Sequence, residues 1–193
     1  LEGQTVLRHP EWNMTHRAVL HNIDLSNGTI TLQGNTYPLI DTHLPTLNPN
    51  DPYALNQDEQ DLMNQLHRSF RKSEKMQRHL RLLYEHGSLY LVHNGFLLYH
   101  AAIPLNQDGS FTEIDVCGER VKGKALMDRI DQVIRMAYYG EGKEKEDALD
   151  YMLYLWQGEH SPLYNKDRRT TFERYFIADK QSHEEKKGAY FKL

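Results

Sequence analysis

Cysteine is almost absent from this chain. Cys117 is the only one in 193 residues, so no disulfide can form within it, and a reducing, cytoplasmic setting fits best. No apolar run approaches the ~20 residues that a membrane-spanning helix needs, and no stretch reads as a signal peptide. An excess of one charge is also missing: 23 Lys and Arg stand against 27 Asp and Glu, a net charge of -4. A phosphate-backbone binder shows a strongly basic face, so nucleic acid is not an expected partner, and neither is a membrane. There is no P-loop, no Gly-x-Gly-x-x-Gly, no Gly-x-Ser-x-Gly and no cysteine-pair zinc motif, which removes the commonest nucleotide, acyl-transfer and zinc-finger chemistries. Internal repeats and low-complexity segments are absent too. The chain opens on Leu1-Glu2-Gly3 without an initiator Met and closes on Ala189-Tyr190-Phe191-Lys192-Leu193, which reads as continuing structured sequence. The expectation is an internal piece, 1–193, of a longer protein.

What is present suffices for a core: 39% of residues are hydrophobic and 26% charged, ordinary proportions for a globular protein. Residues 17–40 predict a small β-meander, with a loosely alternating stretch from Arg17 to Leu25, a turn at Asn27-Gly28, Thr29 to Leu32, a turn at Gly34-Asn35, and Tyr37 to Ile40. Pro45, Pro49 and Pro52 among Asn and Asp make 41–56 a loop. Asn56 with Glu59 has the form of a capping box, and Leu62, Leu66, Phe70, Met76, Leu80 and Leu83 recur at near-helical spacing. A helical region over 56–87 follows, with a break near Ser73. Residues 88–105 predict a β-hairpin turning at Asn94-Gly95. A helical region is expected over 122–188, with amphipathic helices at 124–139 and 145–157, a polar loop at 158–169, and a last helix from Thr170 or Thr171 to Gly188. The class expected is mixed α+β or α/β.

Eleven histidines are more than chemistry needs, and a solvated or core-satisfied imidazole is the default for each. His100 differs in context. It ends an apolar strand and precedes Ala101-Ala102-Ile103-Pro104, where small residues let a metal, water or phosphate approach the backbone. The plainer alternative is a strand-end histidine bonded to a nearby carbonyl, and spacing leaves both open. Asp41-Thr42-His43 after Leu39-Ile40 has the look of a two-metal phosphoesterase start. The companion Gly-Asp-x-x-Asp-Arg-Gly and Gly-Asn-His segments do not follow, and these two residues are read as loop. Lys166, Arg168 and Arg169 place three cations in four residues just before an expected helix start, where a phosphate could be held; a solvated, ion-paired loop is the equal alternative. Arg174 and later cations are diluted by Glu173, Asp179, Glu184 and Glu185, as on a solvated face.

Tyr90-Leu91-Val92-His93-Asn94-Gly95-Phe96-Leu97-Leu98-Tyr99-His100-Ala101-Ala102-Ile103-Pro104-Leu105 resembles the hairpin of class III fructose-1,6-bisphosphatases. Ser69 to Lys75, Ser161-Pro162-Leu163, Thr170 to Phe176, Asp179-Lys180 and Glu185-Lys186-Lys187 are similar to the same family. The resemblance runs over nearly the whole chain from about Met14. It implies membership of the calcineurin-like metallophosphoesterases: a two-sheet β-sandwich with large helical insertions, and a two-metal site at strand ends. Such enzymes hydrolyse fructose 1,6-bisphosphate to fructose 6-phosphate and phosphate, a step of gluconeogenesis, with Mn²⁺. In the family a histidine followed by Gly-Cys-Ile-Pro ligates metal; His100 keeps that place, while Ala101 and Ala102 replace the small residues. By resemblance His100 is a metal ligand, and Lys166, Arg169 and Arg174 are candidates for a substrate phosphate. One histidine cannot hold two ions that each want about six donors, so the metal site is expected to be incomplete in this chain. Homo-oligomerisation stays open. The rival readings are a non-catalytic regulatory or oligomerisation domain, and a metallophosphatase acting on another phosphoester.

Overall fold

The computed structural model describes residues 2–192. In chain order its elements are α1 (Glu2–Arg8), β1 (Ile23–Asp24), β2 (Thr29–Leu32), β3 (Asn35–Pro38), α2 (Gln57–Lys72), α3 (Glu74–His86), β4 (Tyr90–His93), β5 (Phe96–Tyr99), β6 (Ile114–Val116), β7 (Glu119–Val121), α4 (Gly123–Tyr139), α5 (Gly142–Gln157) and α6 (Thr171–Phe176). The strands form three antiparallel sheets among the described residues, of three, two and two strands. The class is therefore mixed α and β. The chain divides into two compact units. One holds the residues up to Gln65 together with Arg168–Lys186; the other holds Leu66–Asp167 and the residues from Lys187 on.

The first unit is built on the β1–β2–β3 meander. Ile30 and Leu32 alternate inward along β2 and join Ile177 in a buried cluster, with Val19, Ile23, Tyr37, Leu39 and Phe172 packed around it. The expected strand from Arg17 is replaced by two 3-10 turns, Thr15–Arg17 and Val19–Asn22. The Leu20 N–H explains part of this: it donates to the Tyr53 hydroxyl at 3.0 Å instead of to a strand. The second hairpin turn sits on Gln33 and Gly34, with φ of 51° and 81°, one residue earlier than expected.

The last helix is far shorter than expected, and helix does not fill 122–188. After Phe176 the chain leaves the helix at Ile177, which is extended and bridges Leu39. The Ile40 N–H donates to the Phe176 carbonyl at 2.8 Å. His183 Nε2 lies 3.0 Å from the Glu173 carbonyl and 2.9 Å from that of Ile177, turning the chain back through the 3-10 turn Lys180–His183. Burying Ile177 and giving its carbonyl a partner in the His183 ring outweighs the small per-residue preference for continuing a helix.

In the helical region the capping box forms reciprocally. The Asn56 N–H donates to Glu59 Oε2 and the Glu59 N–H to Asn56 Oδ1, both at 2.9 Å. The break falls at Ser73, whose hydroxyl accepts from the Met76 N–H and caps α3. Leu62, Leu66 and Phe70 on α2 and Leu83 on α3 are exposed, so that apolar stripe is not a core within these residues.

The second unit centres on α4 and α5. Leu126, Met127, Ile130, Val133 and Ala137 line one face of α4, and Ala148, Tyr151, Tyr154 and Leu155 line α5. These two helices pack together, and α4 also packs on β6, which contributes buried Ile114 and Val116. The β6–β7 hairpin has no counterpart among the expected elements. Its turn uses Cys117 (φ 52°) and Gly118 (φ 84°), and cysteine is not a usual signal for that left-handed position.

Candidate functional site

His100 belongs to the second unit and is placed by the β4–β5 ribbon. Tyr90 pairs with Tyr99 and His93 with Phe96, leaving Asn94 and Gly95 as a two-residue turn with φ of 50° and 80°. Two positive φ values are what the right-handed twist of a tight hairpin asks for. The residues on either side of His100 are tied down. The Tyr99 hydroxyl shares a hydrogen bond with the Tyr190 hydroxyl, the two rings meeting edge to face at 6.2 Å. The Ala102 N–H donates to the Pro162 carbonyl at 3.2 Å, and Ala102 is fully buried. Ser161 holds that partner segment through a 2.6 Å bond to the Leu155 carbonyl. The small residues after His100 therefore serve close packing against Ser161-Pro162.

His100 itself is exposed, and its imidazole makes no hydrogen bond or ion pair among the described residues. The ring stands at the end of an anchored strand without a carbonyl partner among the described residues, a position open equally to solvent and to a ligand. Among the described residues, no three His, Cys, Asp or Glu side chains come together to hold a metal ion. The two-metal site implied by the resemblance is not assembled by these residues. Asp41 and His43 form a local turn, the His43 N–H donating to Asp41 Oδ1 at 2.7 Å, as their reading as loop residues expects.

The ribbon carrying His100 has an unusual surface. Leu91, Phe96 and Leu98 are exposed on one face, Val92 and Leu97 on the other. Strands that are apolar on both faces are typical of sheets covered on both sides.

The three phosphate candidates fall in different settings. Lys166 belongs to the second unit, its ammonium 5.2 Å from the Tyr164 ring centre. Arg169 and Arg174 belong to the first unit. Arg174 is engaged locally: Nε donates to Thr170 Oγ1 at 3.1 Å, one terminal nitrogen lies 3.4 Å from the His183 carbonyl, and Glu185 is 3.8 Å away. Thr170, fully buried, also donates its N–H to Glu185 at 3.1 Å. Arg174 thus braces the turn after α6.

Arg169 instead lines a cavity of about 210 Å³, and Arg168, His16 and Arg17 line it too. His16 and Arg17 are not among the residues that the sequence marks, because nothing local identifies a Thr-His-Arg turn as a partner of residues some 150 positions away. Glu2 and Glu173 also border the cavity. Glu173 is buried, and desolvation pushes its carboxyl above the ordinary 4.5.

The family model for Firmicute fructose-1,6-bisphosphatase matches residues 1–193. The chain belongs to that family. A fructose-1,6-bisphosphatase class 3 from Bacteroides fragilis is 49% identical over 195 aligned residues. One from Clostridium beijerinckii is 50% identical over 194, and one from Parabacteroides distasonis 48% over 195. Each alignment takes in 100% of this chain and 29% of the relative, so the chain spans less than a third of the length of the fructose-1,6-bisphosphatases it matches. No solved structure matches it. No helix among the described residues is long and apolar enough to cross a membrane.

Proposed function

We propose that this chain is part of an enzyme that hydrolyses fructose 1,6-bisphosphate to fructose 6-phosphate and phosphate, a phosphoric monoester hydrolase of gluconeogenesis in the cytoplasm. The observation that carries this is the match of the family model to every residue of the chain, with relatives bearing that enzyme's name at 48–50% identity. The hairpin supports it. Apolar residues exposed on both faces of β4–β5 suit a strand pair inside a two-sheet sandwich of the calcineurin-like kind, completed by parts of the relatives that this chain does not span.

His100 is proposed as one imidazole donor to a divalent metal, Mn²⁺ by the resemblance. The remaining donors would come from outside the described residues. Arg169 is proposed to hold a substrate phosphate, and Lys166 is the second candidate. Arg174 is the weakest of the three, since its guanidinium braces its own turn.

The test is the His100→Ala variant in the whole protein. Because the ring is exposed and unbonded, its loss leaves the melting temperature unchanged. Turnover of fructose 1,6-bisphosphate and bound metal both fall, the first by roughly a hundredfold or more, on the order of several kcal/mol. A variant that keeps full activity and metal content shows that His100 is no ligand.

A further inference from the structure

Charge along this chain changes sign at the middle of an exposed apolar stripe. Residues 41–66 carry Asp41, Asp51, Asp58, Glu59 and Asp61 and no Lys or Arg, whereas residues 67–82 carry Arg68, Arg71, Lys72, Lys75, Arg78 and Arg81 against Glu74 alone. The stripe is Leu62, Leu66 and Phe70, which follow one another at four-residue intervals on one face of α2 and are 54%, 42% and 55% exposed. No residue of α2 is buried. An acidic start and a basic end suit the dipole of α2 by itself. The cations do not stop at that end. Lys75 stands in the first turn of α3, where the dipole disfavours it, and Arg78 and Arg81 follow at spacings that set like charges side by side. Arg71, Lys72, Lys75, Arg78 and Arg81 are exposed and make no hydrogen bond or ion pair among the described residues. On α4 and α5, by contrast, Lys124, Arg135 and Lys143 each pair with a carboxylate one helical turn away. A run of unneutralised cations beside an apolar face is the complement of an acidic run beside an apolar face, and this chain supplies both.

We propose that α2 is a self-association surface, on which a second copy of this chain packs its own α2, antiparallel, about a two-fold axis at Leu66. A two-fold interface must be complementary to itself, and Leu66 is where the charge reverses. Leu66 there meets its own copy, and Leu62 of each chain faces Phe70 of the other. The acidic start of each helix, with Asp51 before it, faces the basic end of the other and the Lys75 that follows. A parallel pairing would set acid against acid and base against base. Cover by another part of a longer polypeptide would call for no such antisymmetry about the stripe. α2 has 16 residues, a length of about 24 Å, so the contact lies at the small end of specific interfaces and dissociates on dilution.

Sedimentation equilibrium of the chain, and of the whole protein that contains it, tests this. The chain forms a dimer whose Kd rises about tenfold or more from low to high salt, as screening weakens the charged flanks. Leu66→Glu sets two carboxylates together at the axis and leaves a monomer. Asp58→Lys with Asp61→Lys weakens self-association by about tenfold or more, and so does Arg71→Glu with Lys72→Glu. Mixing these two doubly substituted chains restores a dimer, because one α2 is then basic throughout and the other acidic throughout. Circular dichroism and the melting temperature report whether each variant stays folded, and the mixing result decides even where one variant is less stable alone. Glu144→Lys, on α5, leaves the dimer unchanged. In the whole protein Leu66→Glu lowers the oligomeric state. A chain that stays monomeric up to about 0.5 mM overturns the proposal, as does a dimer that Leu66→Glu leaves intact. A whole protein whose oligomeric state Leu66→Glu does not change overturns it too, since the face is then covered by another part of the polypeptide.

Discussion

Two glycines show how differently a single position can be constrained. A Cβ on Gly95 would meet nothing within 4 Å, but the residue sits at φ +80°; a Cβ on Gly3 would overlap the Tyr53 ring. Gly95→Val is therefore expected to cost about 1–3 kcal/mol through the backbone alone, with thermal or urea unfolding as the measurement. An unchanged midpoint means that the turn does not depend on Gly95. Glu173 gives a pH-dependent case. Its folded pKa is raised above 4.5 by burial, so the folded form binds the proton more tightly than the unfolded chain. The stability it contributes is fully present below pH 4.5 and is lost as pH rises through the raised folded value. Glu173→Gln should thus match the unmodified chain near about pH 4 and gain melting temperature over it as pH climbs towards about 7. Equal slopes for the two proteins would show that Glu173 ionises at no cost.

Among the elements, α2 and α4 contrast a helix started by local chemistry with one held by packing. The Asn56–Glu59 box closes within a single turn, and Asn56→Ala is expected to cost about 0.5–2 kcal/mol by leaving N–H groups of the first turn unsatisfied. α4 has no side-chain cap at its N-terminus, yet it carries five buried apolar residues. Ile130, fully buried, is the sharper probe: Ile130→Ala should cost about 2–5 kcal/mol, the transfer term plus the cavity it leaves. Denaturant unfolding of the two variants ranks them. An Ile130→Ala cost below that of Asn56→Ala would contradict the place of α4 in the core.

At the scale of the whole molecule, the isolated chain is expected to release no phosphate from fructose 1,6-bisphosphate, even with added Mn²⁺. No cluster of metal-ligating side chains forms among the described residues, and the chain spans 29% of its relatives. A clean preparation assayed by phosphate release decides the matter; robust turnover abolished by a chelator would mean that these residues complete a metal site on their own.

Features written within a few consecutive residues are legible in the sequence itself. The Asn94-Gly95 turn, the Asn56–Glu59 box and the Ser73 break each depend on backbone groups and side chains that are close neighbours along the chain, so propensity and hydrogen bonding act there without help. The family resemblance is legible for a similar reason, being carried by contiguous runs such as Tyr90 to Leu105. The stretches 17–22 and 177–188 depart from expectation because distant partners decide them: Tyr53 takes the Leu20 N–H, and Leu39 draws Ile177 out of the helix. The same holds for the site. His100 can be singled out by its place at a strand end, but its exposure and lack of a partner belong to the folded chain. The meeting of His16 and Arg17 with Arg168 and Arg169 around one cavity has no local signature, since burial of Ile30, Leu32 and Ile177 in a shared core brings together segments that are remote in sequence.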